Sequence, residues 1–159
     1  MKPESVTVKN IEAAFAGESM AHIKYLYFAK VARAAGDVET AKVFEDTAAQ
    51  EVQHAFGHLD LLYPREAMTP ARCLEMAIEG ETYEYTEMYP QFRHLAEQEG
   101  NTAAVKEMDE QIEESKEHAE RFRKTLEKAA KCFAALAKVE ERHTNHYFAR
   151  LAKVAGQVS

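Results

Sequence analysis

Two four-residue stretches, Glu51-Val52-Gln53-His54 and Glu140-Glu141-Arg142-His143, give the strongest indication of the fold of this 159-residue chain. Each is a Glu-x-x-His pair, and its three-residue spacing turns both side chains to one side of a helix, where they can hold one metal ion. Di-metal carboxylate bundles take such a pair from each of two helices and one Glu from each of the other two. The two pairs therefore predict an all-α four-helix bundle around two metal ions.

Apolar periodicity and its breaks place three helices around the first pair. Apolar side chains recur every three or four positions until Gly36, which ends the first helix. Asp37 is a suitable N-cap for the second helix, and Pro64 ends it. Pro70 occupies the first position of the third. The predicted bounds are about 8–35 for helix A, about 37–63 for helix B and about 70–99 for helix C.

The segment from about 102 to 155 contains no Gly or Pro and is longer than a usual globular helix. We therefore expect an insert followed by helix D, with a turn near Ser115 or Ala129. All of these elements are expected to belong to a single domain over residues 1–159.

An internal repeat indicates two related helix pairs, A with B and C with D. Identical spacing relates Lys42, Phe44, Glu51 and His54 to Lys131, Phe133, Glu140 and His143. A weaker echo of helix B follows Gly100. There, His118 lies as far from Gly100 as His54 lies from Gly36, but Ser115 occupies the place of Glu51.

Glu18 on helix A and either Glu81 or Glu84 on helix C complete a set of metal ligands, so helix C offers one carboxylate more than the minimal site needs. Glu18 lies among apolar residues of helix A, and Glu81 and Glu84 lie three residues apart on helix C. Hard carboxylate oxygens can bridge two iron ions, and neutral imidazole can complete the coordination of each. Isolated Glu and His are usually surface residues, but carboxylates on an inward stripe without a cation would carry a large desolvation cost.

Four motifs are typical of one family. They are Ala14-Phe15-Ala16-Gly17-Glu18-Ser19, Glu51-x-x-His54, Glu79-Gly80-Glu81-Thr82-Tyr83-Glu84-Tyr85-Thr86-Glu87-Met88-Tyr89-Pro90, and Phe133 to His143. On these motifs the chain resembles the rubrerythrin family over about residues 8–152. The resemblance implies a ferritin-like four-helix bundle that holds two iron ions, for which manganese or zinc can substitute.

The resemblance also assigns roles to individual residues. The implied iron ligands are Glu18, Glu51, Glu81, Glu84, Glu140 and His143. His54 would join one iron on reduction, in exchange for Glu84. Tyr25 and Tyr89 match family tyrosines that hydrogen-bond to the ligand shell. His54, Glu84, Tyr25 and Tyr89 are therefore the candidate catalytic residues.

The source of electrons departs from the family pattern. The family's usual C-terminal rubredoxin domain has no counterpart in these residues, because Cys73 and Cys132 form no CxxC pair. Electrons are then expected from another protein, such as rubredoxin.

The fourth helix also departs from the pattern. The segment between Gly100 and Phe133 is longer than the family's connection, so Glu114 and His118 are alternatives to Glu140 and His143. The exact Glu-x-x-His spacing favours Glu140 and His143.

Composition and charge restrict the partners and the compartment. A formal net charge of −7 without a basic tract argues against nucleic acid. No segment offers about 18 uninterrupted apolar residues, and the N-terminus lacks an apolar signal region, so we expect neither a membrane span nor export. Two cysteines without a disulfide framework indicate a reducing cytoplasm.

The resemblance implies a peroxidase of oxidative-stress defence, in which a diferrous pair reduces hydrogen peroxide and an external donor restores it. The alternative is a ferroxidase or iron-storage protein of the ferritin-like class. A metal-free helical interaction protein is a third hypothesis, but it leaves the inward carboxylates unexplained. We expect a homodimer, with exchange of helices between the chains left open.

Overall fold

The computed structural model describes residues 5–155, with side chains through residue 148 and at 150. Its elements are α1 (Val6–Ala34), α2 (Val38–Leu62), a 3₁₀-helix (Arg65–Ala67), α3 (Pro70–Tyr83), a π-helix (Glu84–Met88), α4 (Tyr89–Gln98) and α5 (Thr102–Ala155). No strand occurs among these residues, and none of their helices is long and apolar enough to cross a membrane. The chain divides between Thr69 and Pro70 into two compact units.

Each unit contains a helical hairpin that turns through a glycine. Gly36 and Gly100 have φ values of +82° and +71°, in the left-handed region that favours glycine. The next residue caps the following helix in both hairpins. Asp37 and Asn101 each accept a hydrogen bond from the backbone N–H three residues on, at 2.9 and 3.1 Å. The predicted starts of α2 and α5 agree with this geometry.

Small side chains bring α1 and α2 of the first unit close together. Ala41, Ala48 and Ala55 follow one another at seven-residue spacing on α2, and all three are buried. Ala29 is the buried residue of α1. His22 of α1 donates Nδ1–H to the carbonyl oxygen of Ala48, at 2.7 Å. This bond fixes the register of α1 against α2 one turn beyond Glu18.

In the second unit, α3, the π-helix and α4 pack along the first part of α5. Ala96 of α4 is buried, as are Ser115 and Ala119, which lie one turn apart on α5. Arg93 of α4 donates from Nε to Asp109 of α5 at 2.6 Å. These contacts hold α5 against the π-helix at the level of Ser115.

The π-helix interrupts the predicted helix C. The N–H of Tyr89 bonds to the carbonyl oxygen of Glu84, five residues earlier, where an α-helix would use the fourth. Pro90 follows directly and has no N–H to offer to the carbonyl of Thr86. The missing donor weakens the α-helical ladder at this point, and a wider turn accommodates one more residue.

Residues 102–155 form one continuous helix, and the predicted turn near Ser115 or Ala129 is wrong. At 1.5 Å per residue, α5 is about 80 Å long. Its sequence lacks helix breakers, and ion pairs one turn apart, such as Lys106 with Glu110 and Lys124 with Glu120, support it. Residues 130–148 are all exposed.

Candidate metal centre

The first unit brings together Glu18 of α1 with Glu51 and His54 of α2. One ligand atom from each of the three lies within 4.8 Å of the others. Both carboxylates are half-buried, whereas the His54 side chain is 58% exposed. His54 Nδ1 lies 2.9 Å from Glu51 Oε2, which orients the imidazole along its own helix. The structure thus assembles the three predicted ligands of the first unit.

Tyr25 lies on α1 two turns beyond Glu18. Its ring packs against Phe28 and against Phe44 of α2, with centroids 6.4 and 5.9 Å away. These contacts hold the ring between the two helices. A hydrogen bond from its hydroxyl to a metal ligand remains a prediction.

The second unit brings Glu81 and Glu84 to Ser115 and His118 of α5. Ser115 Oγ donates to Glu84 Oε2 at 3.1 Å. His118 Nδ1 lies 3.4 Å from Glu81 Oε2, within the range of an ion pair, although Glu81 Oε2 accepts no hydrogen bond. Sequence reasoning favoured a different part of α5 and missed these two contacts.

The donor atoms of the first unit fit a cation, and Glu81 of the second unit offers a further ligand atom. Among the described residues that are not exposed, Glu81 Oε2 is the buried side-chain oxygen without a hydrogen-bond partner. Leaving such a carboxylate oxygen unpaired is costly, and a bound cation would remove that cost. Carboxylate and imidazole together are ligands suited to iron, manganese and zinc.

Tyr89 lies in an acidic part of the second unit. Desolvation raises the pKa of its hydroxyl, and the charges of Glu84, Glu81, Glu107 and Glu114 raise it further. The phenol therefore stays protonated at neutral pH and can donate a hydrogen bond. Tyr89 is thus a donor close to the carboxylates of this unit.

Tyr85 lies in the π-helix and has the opposite environment. A hydrogen bond from Arg123 of α5 lowers the pKa of its hydroxyl, with a smaller effect from Thr82. Arg123 Nη2 also donates to Thr82 Oγ1 at 3.0 Å. This polar group fixes the start of the π-helix against α5.

The two units repeat one arrangement of residues, with a single insertion. Tyr25 and Tyr89 both lie eleven residues before the glycine of their hairpin. Glu18 lies seven residues before its tyrosine, but Glu81 lies eight before Tyr89. The extra residue falls at the π-helix. The spacing of eight residues between Glu81 and Tyr89, against seven between Glu18 and Tyr25, is the feature of the sequence that could have revealed the π-helix.

Glu140 and His143 lie in the exposed part of α5, residues 130–148. The structure does not bring them together with the other predicted ligands, and Glu114 is also exposed. Their assignment as ligands stays a prediction.

The helical fold and the carboxylate–histidine groups define a class, the non-haem metal-binding carboxylate proteins. Residues 9–126 match the family model for rubrerythrin. The chain belongs to the rubrerythrin family, and its predicted fold class, an all-α ferritin-like bundle with a C-terminal helical extension, is confirmed. The matched region includes Ser115 and His118 and ends before Glu140.

The chain is similar to several named proteins. The chain is 38% identical to nigerythrin of Nitratidesulfovibrio vulgaris over 128 residues, covering 73% of this chain and 63% of that protein. It is 33% identical to rubrerythrin of Porphyromonas gingivalis over 161 residues, covering 94% and 68%. Rubrerythrin of N. vulgaris is 35% identical over 160 residues, covering 92% and 70%. The chain therefore spans less than two thirds of nigerythrin and slightly more of the two rubrerythrins.

A solved structure of nigerythrin in its fully reduced, all-ferrous state is also similar. It is 34% identical and covers 80% of this chain and 70% of that one, with a TM-score of 0.40. Family membership makes the chain a relative of di-iron oxidoreductases of oxidative-stress defence.

Proposed function

We propose that this protein binds two iron ions and reduces hydrogen peroxide to water with electrons from a separate donor protein. The observation that carries the proposal is the convergence of Glu18, Glu51 and His54 within 4.8 Å. The buried oxygen of Glu81, which has no hydrogen-bond partner, supports Glu81 as a further ligand.

The proposed ligands come from both units. Glu18, Glu51 and His54 belong to the first unit, and Glu81, Glu84 and His118 belong to the second. The four carboxylates would offset the charge of two divalent ions. For the fourth helix, the contacts of Ser115 and His118 favour this part of α5 over Glu140 and His143.

Two bound ferrous ions would supply the two electrons that, with two protons, convert one hydrogen peroxide into two water molecules by breaking its O–O bond. The protein's own residues orient the peroxide and carry protons. Tyr89 is protonated at neutral pH and can donate a hydrogen bond to a peroxide oxygen.

His54 and Glu84 would act as exchangeable ligands, as the family resemblance implies. The His54 side chain is exposed and contacts only Glu51 among the side chains for which a contact is described, so it has room to rotate. Loss of that contact would leave Glu51 free to bind metal with both oxygens.

The electron donor is proposed to be a separate protein such as rubredoxin. With Cys73 and Cys132 alone, these 159 residues cannot supply four thiolates to an iron site. The proposal includes hydrogen peroxide as the substrate and manganese or zinc as alternative metals. It also includes a homodimer in the cytoplasm.

A ferroxidase or iron-storage role would use the same ligands and is the second candidate. Stopped-flow mixing of the iron-loaded, reduced protein with peroxide and, separately, with dioxygen distinguishes them. A peroxidase oxidises much faster with peroxide and consumes one peroxide per two irons. Faster oxidation by dioxygen would favour the ferroxidase, and a chain that binds no iron would exclude both.

A further inference from the structure

The second unit lacks a carboxylate that the first unit has. His54 and His118 each lie eighteen residues after the glycine of their hairpin, and both glycines have positive φ. Three residues before His54 stands Glu51, whereas Ser115 stands three residues before His118. At this place in the repeat, α5 therefore offers a hydroxyl where α2 offers a metal ligand.

The hydroxyl of Ser115 makes an unusual contact for a helical serine. Ser19, Thr47, Thr86 and Thr125 all donate to the carbonyl oxygen four residues earlier in their own helix. Ser115 of α5 donates instead to Glu84 of the π-helix, which is a different helix. The Ser115 residue is only 3% exposed. Because a carboxylate only accepts, this bond fixes one Glu84 oxygen and leaves the other for a further partner.

Glu84 itself has no counterpart in the first unit. It is the first residue of the π-helix, the segment that holds the single extra residue of the repeat. The equivalent stretch of α1, after Glu18, contains Met20 and Ala21 and no carboxylate. The second unit has therefore gained a carboxylate on one helix and lost one on the helix that packs against it.

We propose that Ser115 is a positioning residue that holds Glu84, a predicted metal ligand, by one carboxylate oxygen. The inference rests on the proposed binding of two metal ions. In this arrangement the hydrogen bond of Ser115 orients a carboxylate of the π-helix at the place where α5 itself supplies none. Partners of metal ligands typically affect metal affinity by about 10–100-fold when removed.

Anaerobic titration with Co²⁺, followed by its visible absorption, tests this inference without any peroxide turnover. The wild-type protein is expected to bind two equivalents. In Ser115→Ala, one equivalent should bind with unchanged affinity and the other about ten-fold more weakly. Ser115→Thr keeps a hydroxyl and should restore most of the lost affinity. Thr125→Ala, which removes an exposed hydroxyl from the same helix, is the matched control and should behave like the wild type.

A double variant separates positioning from a general structural effect. In Glu84→Ala, the further change Ser115→Ala should have little effect on Co²⁺ affinity, because the carboxylate that Ser115 positions is gone. Equal weakening of both equivalents by Ser115→Ala, or equal effects with and without Glu84, would overturn the inference. A wild-type protein that binds no Co²⁺ or iron would instead overturn the proposed function, whatever the Ser115 variants do.

Discussion

His118 Nδ1 lies 3.4 Å from Oε2 of Glu81, a buried oxygen that accepts no hydrogen bond. A protein that keeps a carboxylate oxygen in this state loses stability unless a cation neutralises it. We therefore expect bound metal to stabilise the protein at this oxygen, and this expectation leads to the first prediction.

Glu81→Gln should affect the metal-free and metal-loaded proteins in opposite directions. Without metal, replacing the carboxylate, whose buried Oε2 accepts no hydrogen bond, by a neutral amide should raise the melting temperature by a few degrees, as expected for about 1 kcal/mol in a chain of this size. With iron or Mn²⁺ in excess, the wild type should gain stability from binding and the variant should gain much less. Differential scanning calorimetry with and without metal measures both effects.

Glu79→Gln is the matched control, because its carboxylate lies on the same helix and is 70% exposed. It should leave both melting temperatures nearly unchanged. A Glu81→Gln variant that gains as much stability from metal as the wild type would show that Glu81 does not bind the cation.

Glu51→Ala should lower the iron content of the purified protein to about half or less. Glu51 Oε2 contacts His54, and both lie within 4.8 Å of a Glu18 oxygen, so its removal disrupts the whole group. Gln53→Ala, an exposed position on the same helix, should keep the wild-type content. Metal analysis by mass spectrometry decides the matter, and equal iron in the two variants would exclude α2 from the site.

Peroxide turnover should depend on an added donor. The 159-residue chain by itself is expected to show little NADH-linked peroxidase activity, because its two cysteines cannot form a four-cysteine iron site. Addition of rubredoxin and its NADH-dependent reductase should restore turnover, measured as NADH oxidation on addition of peroxide. Strong activity of the isolated chain with NADH would contradict the proposed donor.

Local sequence signals predicted most of the first unit. Periodicity, Gly36 and Asp37 defined α1 and α2, and the three-residue spacing of Glu51 and His54 put both on one helical face. Glu18 lies next to them because α2 returns along α1 in a simple helical hairpin. Apart from this return of the chain, none of these features depends on contacts between distant segments.

The second unit depends on tertiary contacts that a pattern does not contain. The π-helix arises from one extra residue before Pro90. From apolar periodicity alone, this segment is predicted as an ordinary α-helix. The exact Glu-x-x-His spacing favoured Glu140 and His143, whereas packing against Glu81 and Glu84 involves Ser115 and His118. Residues 114–118 and 140–143 of α5 both contain Glu and His at helical spacing. Only the packing of α5 against its neighbouring helices distinguishes the two segments.

The stability of the first hairpin should depend on pH through Asp37. Hydrogen bonds from the backbone and side chain of Thr40 lower the pKa of this carboxyl in the folded protein. A lowered folded-state pKa adds stability above the unfolded-state value, and that stability is lost as the pH falls through the folded-state pKa. Asp37→Asn keeps a capping oxygen but cannot titrate.

Thermal unfolding at a series of pH values compares the two proteins. The difference in melting temperature should be constant near neutral pH and should shift in favour of Asp37→Asn below about pH 4, the ordinary range of an Asp carboxyl. Asp60→Asn changes a carboxylate that pairs with Arg65 outside the hairpin turn and serves for comparison. A difference that does not change with pH would mean that the cap acts without its charge.

The last prediction decides which part of α5 supplies metal ligands. His118→Ala removes the imidazole next to Glu81 and should reduce bound iron to about one equivalent, with a matching loss of peroxide turnover. His143→Ala removes a side chain from the exposed stretch 130–148 and should change stability by no more than about 0.5 kcal/mol, with iron content unchanged. Each variant is the control for the other, because both lie on one helix and both remove one imidazole. If His143→Ala instead lost the metal, the family-like spacing of Glu140 and His143 would mark the true ligands, and the contacts of Ser115 and His118 would serve only the packing of α5.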